Sequence, residues 1–414
     1  MKSIREIYKT GKGPSSSHTM GPERAANYFK NAHPQADGFR VILYGSLSKT
    51  GVGHGTDRVL REVLAPVPTE IVFSDEALPA SAHPNTMDLI ALKNGAEADR
   101  LRVESIGGGD IRIPGQTDSE SEEVYVEHSF AEIADFCKWR YIQTLSDYVE
   151  LNEGPEIWAF LLDVWQTMKQ SIDEGLSKTG VLPGGLNVQR KAKYLYEQHP
   201  GDENPAMKEF QMIAAYAYAV AEQNADNGTI VTAPTCGACG VLPAVLKYAQ
   251  VTKGFTDAQI CRGLATAGII GNLTKTNASI SGAECGCQAE IGTASAMAAG
   301  ALVALRDGTG QQIGHAVAMA LKNLMGLVCD PVAGLVEVPC VKRNVIGAVN
   351  AISAADMALA GIESRIPVDE VIDAMGEVGR RMPVEFRETA LGGLAATPTG
   401  RRVKQQMHPE SQEF

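Results

Sequence analysis

Residues 13–22 read GPSSSHTMGP and run directly into ERAANYFKNA, a segment of helical character. Ser15, Ser16, Ser17, His18 and Thr19 can each donate a hydrogen bond, and all five stand just ahead of the expected helix start. Unpaired N–H groups and partial positive charge gather at such a start, a combination suited to carboxylate or phosphate. The plainer reading is a serine N-cap on a polar loop. A second loop, SLSKTGVGHGTDRVL, follows the strand-like FRVILYG. In it Gly51, Gly53 and Gly55 surround His54, and Thr56 and Asp57 open a helix. Such glycines let backbone approach a ligand closely and are expected to leave the imidazole accessible. Histidine suits proton transfer near neutrality, so His54 is a candidate base; the alternative is a lone surface histidine in a loose loop.

The cysteines form a third constellation. Of Cys137, Cys236, Cys239, Cys261, Cys285, Cys287, Cys329 and Cys340, all but the first lie in the second half of the chain. A chain of this length has no need of disulfides, so grouped cysteines favour metal or catalytic use. Cys137 and Cys261 sit in helix-like runs and read as small buried apolar residues. Cys236 and Cys239 make a CxxC, Cys285 and Cys287 a CxC, and Cys329 and Cys340 bracket CDPVAGLVEVPC. The two short hooks suit a four-thiolate zinc site but leave the last pair unused. An iron–sulfur cluster takes ligands from turns at the ends of separate helices and tolerates wide spacing. Spacing alone ranks cluster over zinc and leaves inert thiols as a third option.

These loops need a scaffold. From Phe39 to Val126, β-rich runs (FRVILYG, TEIVFS, RLRVESIGGG, EEVYVEH) alternate with helical ones, an α+β or α/β pattern. Pro114–Glu123 reads as a surface loop. From Ser129 onward long Ala-, Leu- and Met-rich runs predict an all-helical part. The expected organisation is an α+β domain over 1–130, an all-helical domain over 131–396 and a frayed polar tail over 397–414. With 414 residues, 44% hydrophobic and 21% charged, the chain can build both cores. The formal charge of −12 argues against a nucleic-acid partner. No stretch reaches the roughly 18 uncharged apolar residues of a membrane span; the nearest, Ile291–Leu305, ends at Arg306–Asp307. MKSIREIYKT lacks the apolar core of a signal peptide, so a cytoplasmic location is expected. Neither the glycines around His54 nor Gly107–Gly109 match the dinucleotide fingerprint, which argues against NAD.

Taken in order, GPSSSHTMGP, YGSLSKTGVGHGTD, SIGGG, VLPGGL, TAPTCGACGVLPAV, NASISGAECGCQAE, LVCDPVAGLVEVPCVKRN and RETALGGLA resemble the iron–sulfur-dependent bacterial L-serine dehydratases over nearly the whole chain. The resemblance implies an N-terminal β domain fused to an all-helical α domain, a [4Fe–4S] cluster, a homodimer, and conversion of L-serine to pyruvate and ammonia without pyridoxal phosphate. The family's cluster cysteines fall on Cys287, Cys329 and Cys340, which leaves one iron for substrate. Its base falls on His54, and its substrate-contacting loop on Ser15, Ser16, Ser17, His18 and Thr19. Thr56 and Asp57 are further expected substrate contacts, from the second helix start. Several single-chain relatives end in a cysteine that caps the fourth iron, whereas SQEF offers none. The fourth iron is then expected to be open or approached by Cys285 or Cys236, with Glu410, Glu413 and Phe414 as other tail groups. The competing readings are an L-cysteine desulfidase and a non-catalytic iron–sulfur sensor. The intact SSSHT segment argues against the first, and the lack of a basic helix or low-complexity arm against the second.

Overall fold

A five-stranded mixed sheet is the frame on which two of the three motifs hang. The computed structural model describes residues 1–79, 81–116, 123–198 and 204–407. The chain opens with a short strand, β1 (Thr10–Lys12), and helix α1 (Gly21–Ala32). Then come β2 (Gly38–Leu43), α2 (Gly45–Thr50), α3 (Thr56–Leu64), β3 (Thr69–Phe73), β4 (Thr86–Lys93), β5 (Ala96–Gly107) and β6 (Asp110–Arg112). The strand order is β3-β2-β4-β5-β6, with β2 and β3 parallel and the remaining pairs antiparallel. One sheet face carries Val41, Leu43, Met87, Leu89 and Val103, packed against Ala25 and Phe29 of α1 and Leu60 and Leu64 of α3. Burying such a face is what holds the two motif-bearing helices in place.

The sequence pattern misplaces parts of this frame. TMDLIALK is the central strand β4; a buried Asp88 interrupts its apolar run and is satisfied by Arg102, at 2.7 and 2.8 Å, and by the Tyr44 hydroxyl. Residues 46–50, read as loop, belong to α2. Of the strand-like EEVYVEH (122–128), the described residues 123–128 do not form a strand. Their alternation is used otherwise: the N–H groups of Val124 and Tyr125 donate to the Met1 carbonyl, and the buried Tyr125 donates to Glu153. Of the Pro114–Glu123 segment, 117–122 lies outside the described residues.

The rest is helical: α4 (Phe130–Arg140), α5 (Leu145–Glu153), α6 (Ile157–Ser177), α7 (Ala192–Glu197), α8 (Pro205–Ala225), then a three-residue strand β7 (Thr229–Val231). After it come α9 (Val241–Lys253), α10 (Asp257–Asn277), α11 (Gly282–Cys285), α12 (Thr293–Leu305), α13 (Gly310–Asn323), α14 (Cys340–Leu359) and α15 (Val368–Arg381). The apolar run at Ile291–Leu305 is mostly α12, which is buried on all sides except at Ala304 and packs against α9, α10, α13 and α14. A helix that is apolar all round belongs at the centre of a bundle. No described helix is long and apolar enough to cross a membrane. The tail expectation needs correction, because Pro398–Met407 forms a helix, α16, packed near 332–334. Residues 408–414, with Glu410, Glu413 and Phe414, lie outside the described residues.

Sheet and bundle are tied together. Met1, Ile4, Ile7 and Tyr8 are buried in the helical core, and β1 pairs antiparallel with β7. Asp110, at the start of β6, accepts from Lys9, from Lys275 of α10 at 2.5 Å and from Arg24 at 3.1 Å. Burial pushes its carboxyl up, but the Lys275 and Lys9 charges outweigh this and hold it below the usual carboxylate range. A depressed folded pKa stabilises above the unfolded value, near pH 4, and the contribution fades as pH falls through the folded one. Asp110→Asn should therefore cost about 2 kcal/mol at neutral pH, a cost that begins to shrink only as pH falls below about 4, read as the shift in denaturation midpoint.

Candidate active site between sheet and bundle

The Ser15–Thr19 segment is not a loop ahead of a helix but a π-helical turn, Ser16–Met20, that continues into α1. Such turns widen the backbone spiral and recur at functional sites. The Ser15 hydroxyl caps the turn by accepting from the His18 N–H at 3.1 Å. The Ser17 hydroxyl lies 3.1 Å from His18 Nδ1 and 3.4 Å from the Ser15 hydroxyl. Ser15, Ser16, Ser17, His18 and Thr19 are all buried.

The GHGTD turn docks directly on it. Thr19 Oγ1 donates to the His54 carbonyl at 2.9 Å, and Thr56 Oγ1 donates to the His18 carbonyl at 2.6 Å. The two imidazoles stack with centroids 4.3 Å apart. Gly53 is required here, since a Cβ on it would lie 2.6 Å from the Gly334 carbonyl oxygen. The expectation of an accessible imidazole is overturned, as His54 is 1% exposed. Asp57 stands apart from the Thr pair, half-buried in the first turn of α3, where a carboxylate complements the helix N-terminus.

The ring nitrogens of His54 are distinguishable. Nδ1 lies 2.9 Å from the Thr50 carbonyl oxygen, which can only accept, so Nδ1 carries the proton. Nε2 is left as the basic nitrogen, 3.7 Å from Glu388 Oε1. Burial lowers the His54 pKa to about 4. Burial, then the neighbouring His54, pushes His18 well below the usual histidine value. His18 Nε2 sits between the hydroxyls of Ser46, at 3.2 Å, and Thr50, at 2.9 Å.

Glu388 joins this half to the cysteines. Its N–H donates to the Cys329 carbonyl at 2.9 Å, while the Cys329 N–H donates to Phe386, so segment 386–388 is laced to the CDPVAG turn. The carboxylate group of Glu388 lies with His18 and His54, all three offering ligand atoms within 4.8 Å of one another. Burial, then Glu290 and Cys287, pushes its carboxyl well above the usual carboxylate range. Beside it, Cys287, Glu290 and Cys329 form a second group within 4.8 Å. Cys287 opens another π-helical turn, Gln288–Gly292, that runs into α12. Cys340 is the first residue of α14, and its thiol is pushed well up by burial and then by Cys287. The Cys329 thiol is raised by its contact with Cys287 and by burial.

Cys285 and Cys236 are placed differently. The Cys285 sulfur packs against Gly379 of α15, and its surrounding charges are Glu284, Arg380 and Arg387 rather than the other thiols. The two side chains of the CxC turn thus have separate surroundings. Cys236 is buried with its sulfur 3.4 Å from that of Met20. Cys137 is half-buried in α4 and Cys261 buried in α10. The sequence reading missed Glu388 and Glu290, although each lies in a quoted motif, RETALGGLA and CGCQAE.

The donor set suits a metal centre. The buried Cys287, Cys329 and Glu388 and the half-buried Cys340 and Glu290 crowd one region, where the negative charge of one group opposes the ionisation of its neighbours. Arg343 is the cation that their charges act on, itself paired to Asp330 at 2.8 Å. A bound metal cation would supply the missing positive charge and take the thiols as thiolates.

The family model described as serine dehydratase beta chain matches residues 3–65, and that of the serine dehydratase alpha chain matches 87–395. The chain is 38% identical to "L-serine dehydratase TdcG" of Escherichia coli, over 95% of this chain and 99% of the relative. It is 39% identical to the L-serine dehydratase of Mycobacterium bovis and 36% identical to that of Streptomyces coelicolor, over 95% of this chain and 97% and 98% of theirs.

Proposed function

The chain belongs to the serine dehydratase family, and from that premise we propose that the site between sheet and bundle eliminates water from L-serine, with His54 as base. It is a lyase acting on L-serine, and the products are pyruvate and ammonia. The observation that carries the assignment of the site is the position of Glu388, whose carboxyl group faces His54 Nε2 while its backbone N–H is bonded to Cys329, a member of the Cys287–Glu290–Cys329 group.

Cys287, Cys329 and Cys340 would hold a [4Fe–4S] cluster, and when bound it supplies a Lewis-acidic iron that makes the hydroxyl a better leaving group. The protein's own groups do the rest. His54 Nε2, unprotonated and fixed by the Thr50 carbonyl, takes the α-proton. Ser15, Ser17 and the donors of the π-helical turn orient the substrate carboxylate. Burial excludes water until elimination is complete; the aminoacrylate product then tautomerises to the imine and hydrolyses.

A base whose pKa lies near 4 stays unprotonated where an ordinary histidine, near pH 6.5, would begin to take a proton. kcat/KM for L-serine should therefore stay level from about pH 7.5 down to about pH 6; an acid limb centred at the ordinary histidine value would contradict a buried neutral base. The function itself is tested by pyruvate release from L-serine and from L-cysteine, using protein purified without oxygen. Preference for serine is expected; preference for cysteine would favour a desulfidase, and turnover of neither would favour a sensor.

A further inference from the structure

Asn85 is fully buried, and neither its side-chain oxygen nor its nitrogen has a hydrogen-bond partner. Two unmade bonds on one buried amide are costly, and natural proteins keep such groups where something else completes them. Its position says what that is. Asn85 immediately precedes β4, and its carbonyl accepts from the Ser105 N–H at the end of β5. Residues 85, 87 and 89 alternate onto one face, and Met87 and Leu89 pack on that face beneath α1 and α3. The covering element at the Asn85 end is the π-helical turn, since Ser105 Oγ donates to the Ser17 carbonyl at 2.7 Å.

On the other flank the Pro84 carbonyl accepts from the Ser46 N–H at 2.9 Å, and Ser46 Oγ faces His18 Nε2 and donates to the Glu388 carbonyl. That approach is so close that a Cβ on Gly45, which has φ +52°, would lie 2.3 Å from the Pro84 oxygen. The backbone on either side of Asn85 is thus fastened to the residues that flank His18. Glu388 Oε2, in the same region, is a further buried oxygen without a partner.

We propose that the Asn85 carboxamide binds the substrate amino acid, its NH2 group donating to the α-carboxylate and its carbonyl accepting from the α-ammonium. An amide is donor and acceptor at once, which matches the two charged groups that every zwitterionic amino acid carries on one carbon. The assignment rests on serine dehydration at this site. It adds a residue that selects for the amino-acid end of the substrate, separate from the base and the thiols.

The test uses the cluster-loaded protein with L-serine as the probe, comparing Asn85→Leu and Asn85→Asp. Leucine keeps the volume and removes both unpaired groups; aspartate keeps the shape but opposes the substrate carboxylate. Both should raise KM about 10- to 100-fold, with visible cluster absorbance retained. Asn85→Leu should also melt no lower than the unchanged protein, because two buried unsatisfied groups have gone. 3-Hydroxypropanoate, which lacks the ammonium group, should lose less inhibitory affinity in Asn85→Leu than L-serine loses. A KM within about twofold of normal, or a lower melting temperature in Asn85→Leu, would overturn the assignment and make the amide structural. Serine turnover by the unchanged protein reports separately on the parent reading, so the two failures are distinguishable.

Discussion

His54→Gln should lower kcat for L-serine by about 10²- to 10⁴-fold while leaving cluster absorbance and melting temperature close to normal. The size follows from removing the basic Nε2 of a buried imidazole whose Nδ1 carries the proton. Nδ1 is committed to the Thr50 carbonyl, so proton transfer falls to Nε2 alone. Glutamine fills much of the ring's volume, which avoids the cavity an alanine would leave. His18→Gln serves as the comparison. His18 is held between Ser46 and Thr50 and lies 3.5 Å from Glu388 at Nδ1, so the proposed mechanism has it orient the site rather than take the proton. A His54→Gln protein with near-normal kcat, beside an inactive His18→Gln, would exchange the two roles.

Replacing Cys329 with Ser should abolish both cluster content and turnover, a loss of at least about 100-fold given what weaker outer-shell changes cost a metal site. Cys287→Ser and Cys340→Ser should behave alike, since each would remove one iron ligand. Cys285→Ser supplies the contrast. Its sulfur is turned to Gly379 and the Arg380 side, and its pKa is pushed up to about 11 by burial and Glu284. That variant should keep iron, and lose little activity. A Cys285→Ser protein that lost iron while Cys329→Ser retained it would reverse the ligand assignment.

The α+β-then-helical order is legible in the sequence because period-two and Ala-rich patterns separate cleanly near residue 130. What is hidden depends on tertiary satisfaction. β4 escapes detection because Asp88 breaks its apolar run, and its pairing with Arg102 across the sheet, together with the Tyr44 hydroxyl, makes that burial tolerable. Tyr125 and its neighbours alternate like a strand yet spend their hydrogen bonds on Met1. At the site, His18, His54 and the cysteines stand out by residue type and flanking glycines. Glu388 does not, since an acid in RETALGGLA looks like any surface glutamate until its N–H is seen bonded to Cys329. The burial of His54 is equally hidden, because glycines around a histidine signal close backbone approach without saying which surface approaches. Here it is the 333–334 turn.

Iron and acid-labile sulfide, counted per chain in oxygen-free protein that is turning over L-serine, test the central claim most directly. About four of each should be found, falling together with pyruvate release when the protein is exposed to air. A preparation that dehydrates L-serine at full rate while carrying neither iron nor sulfide would contradict a cluster at Cys287, Cys329 and Cys340.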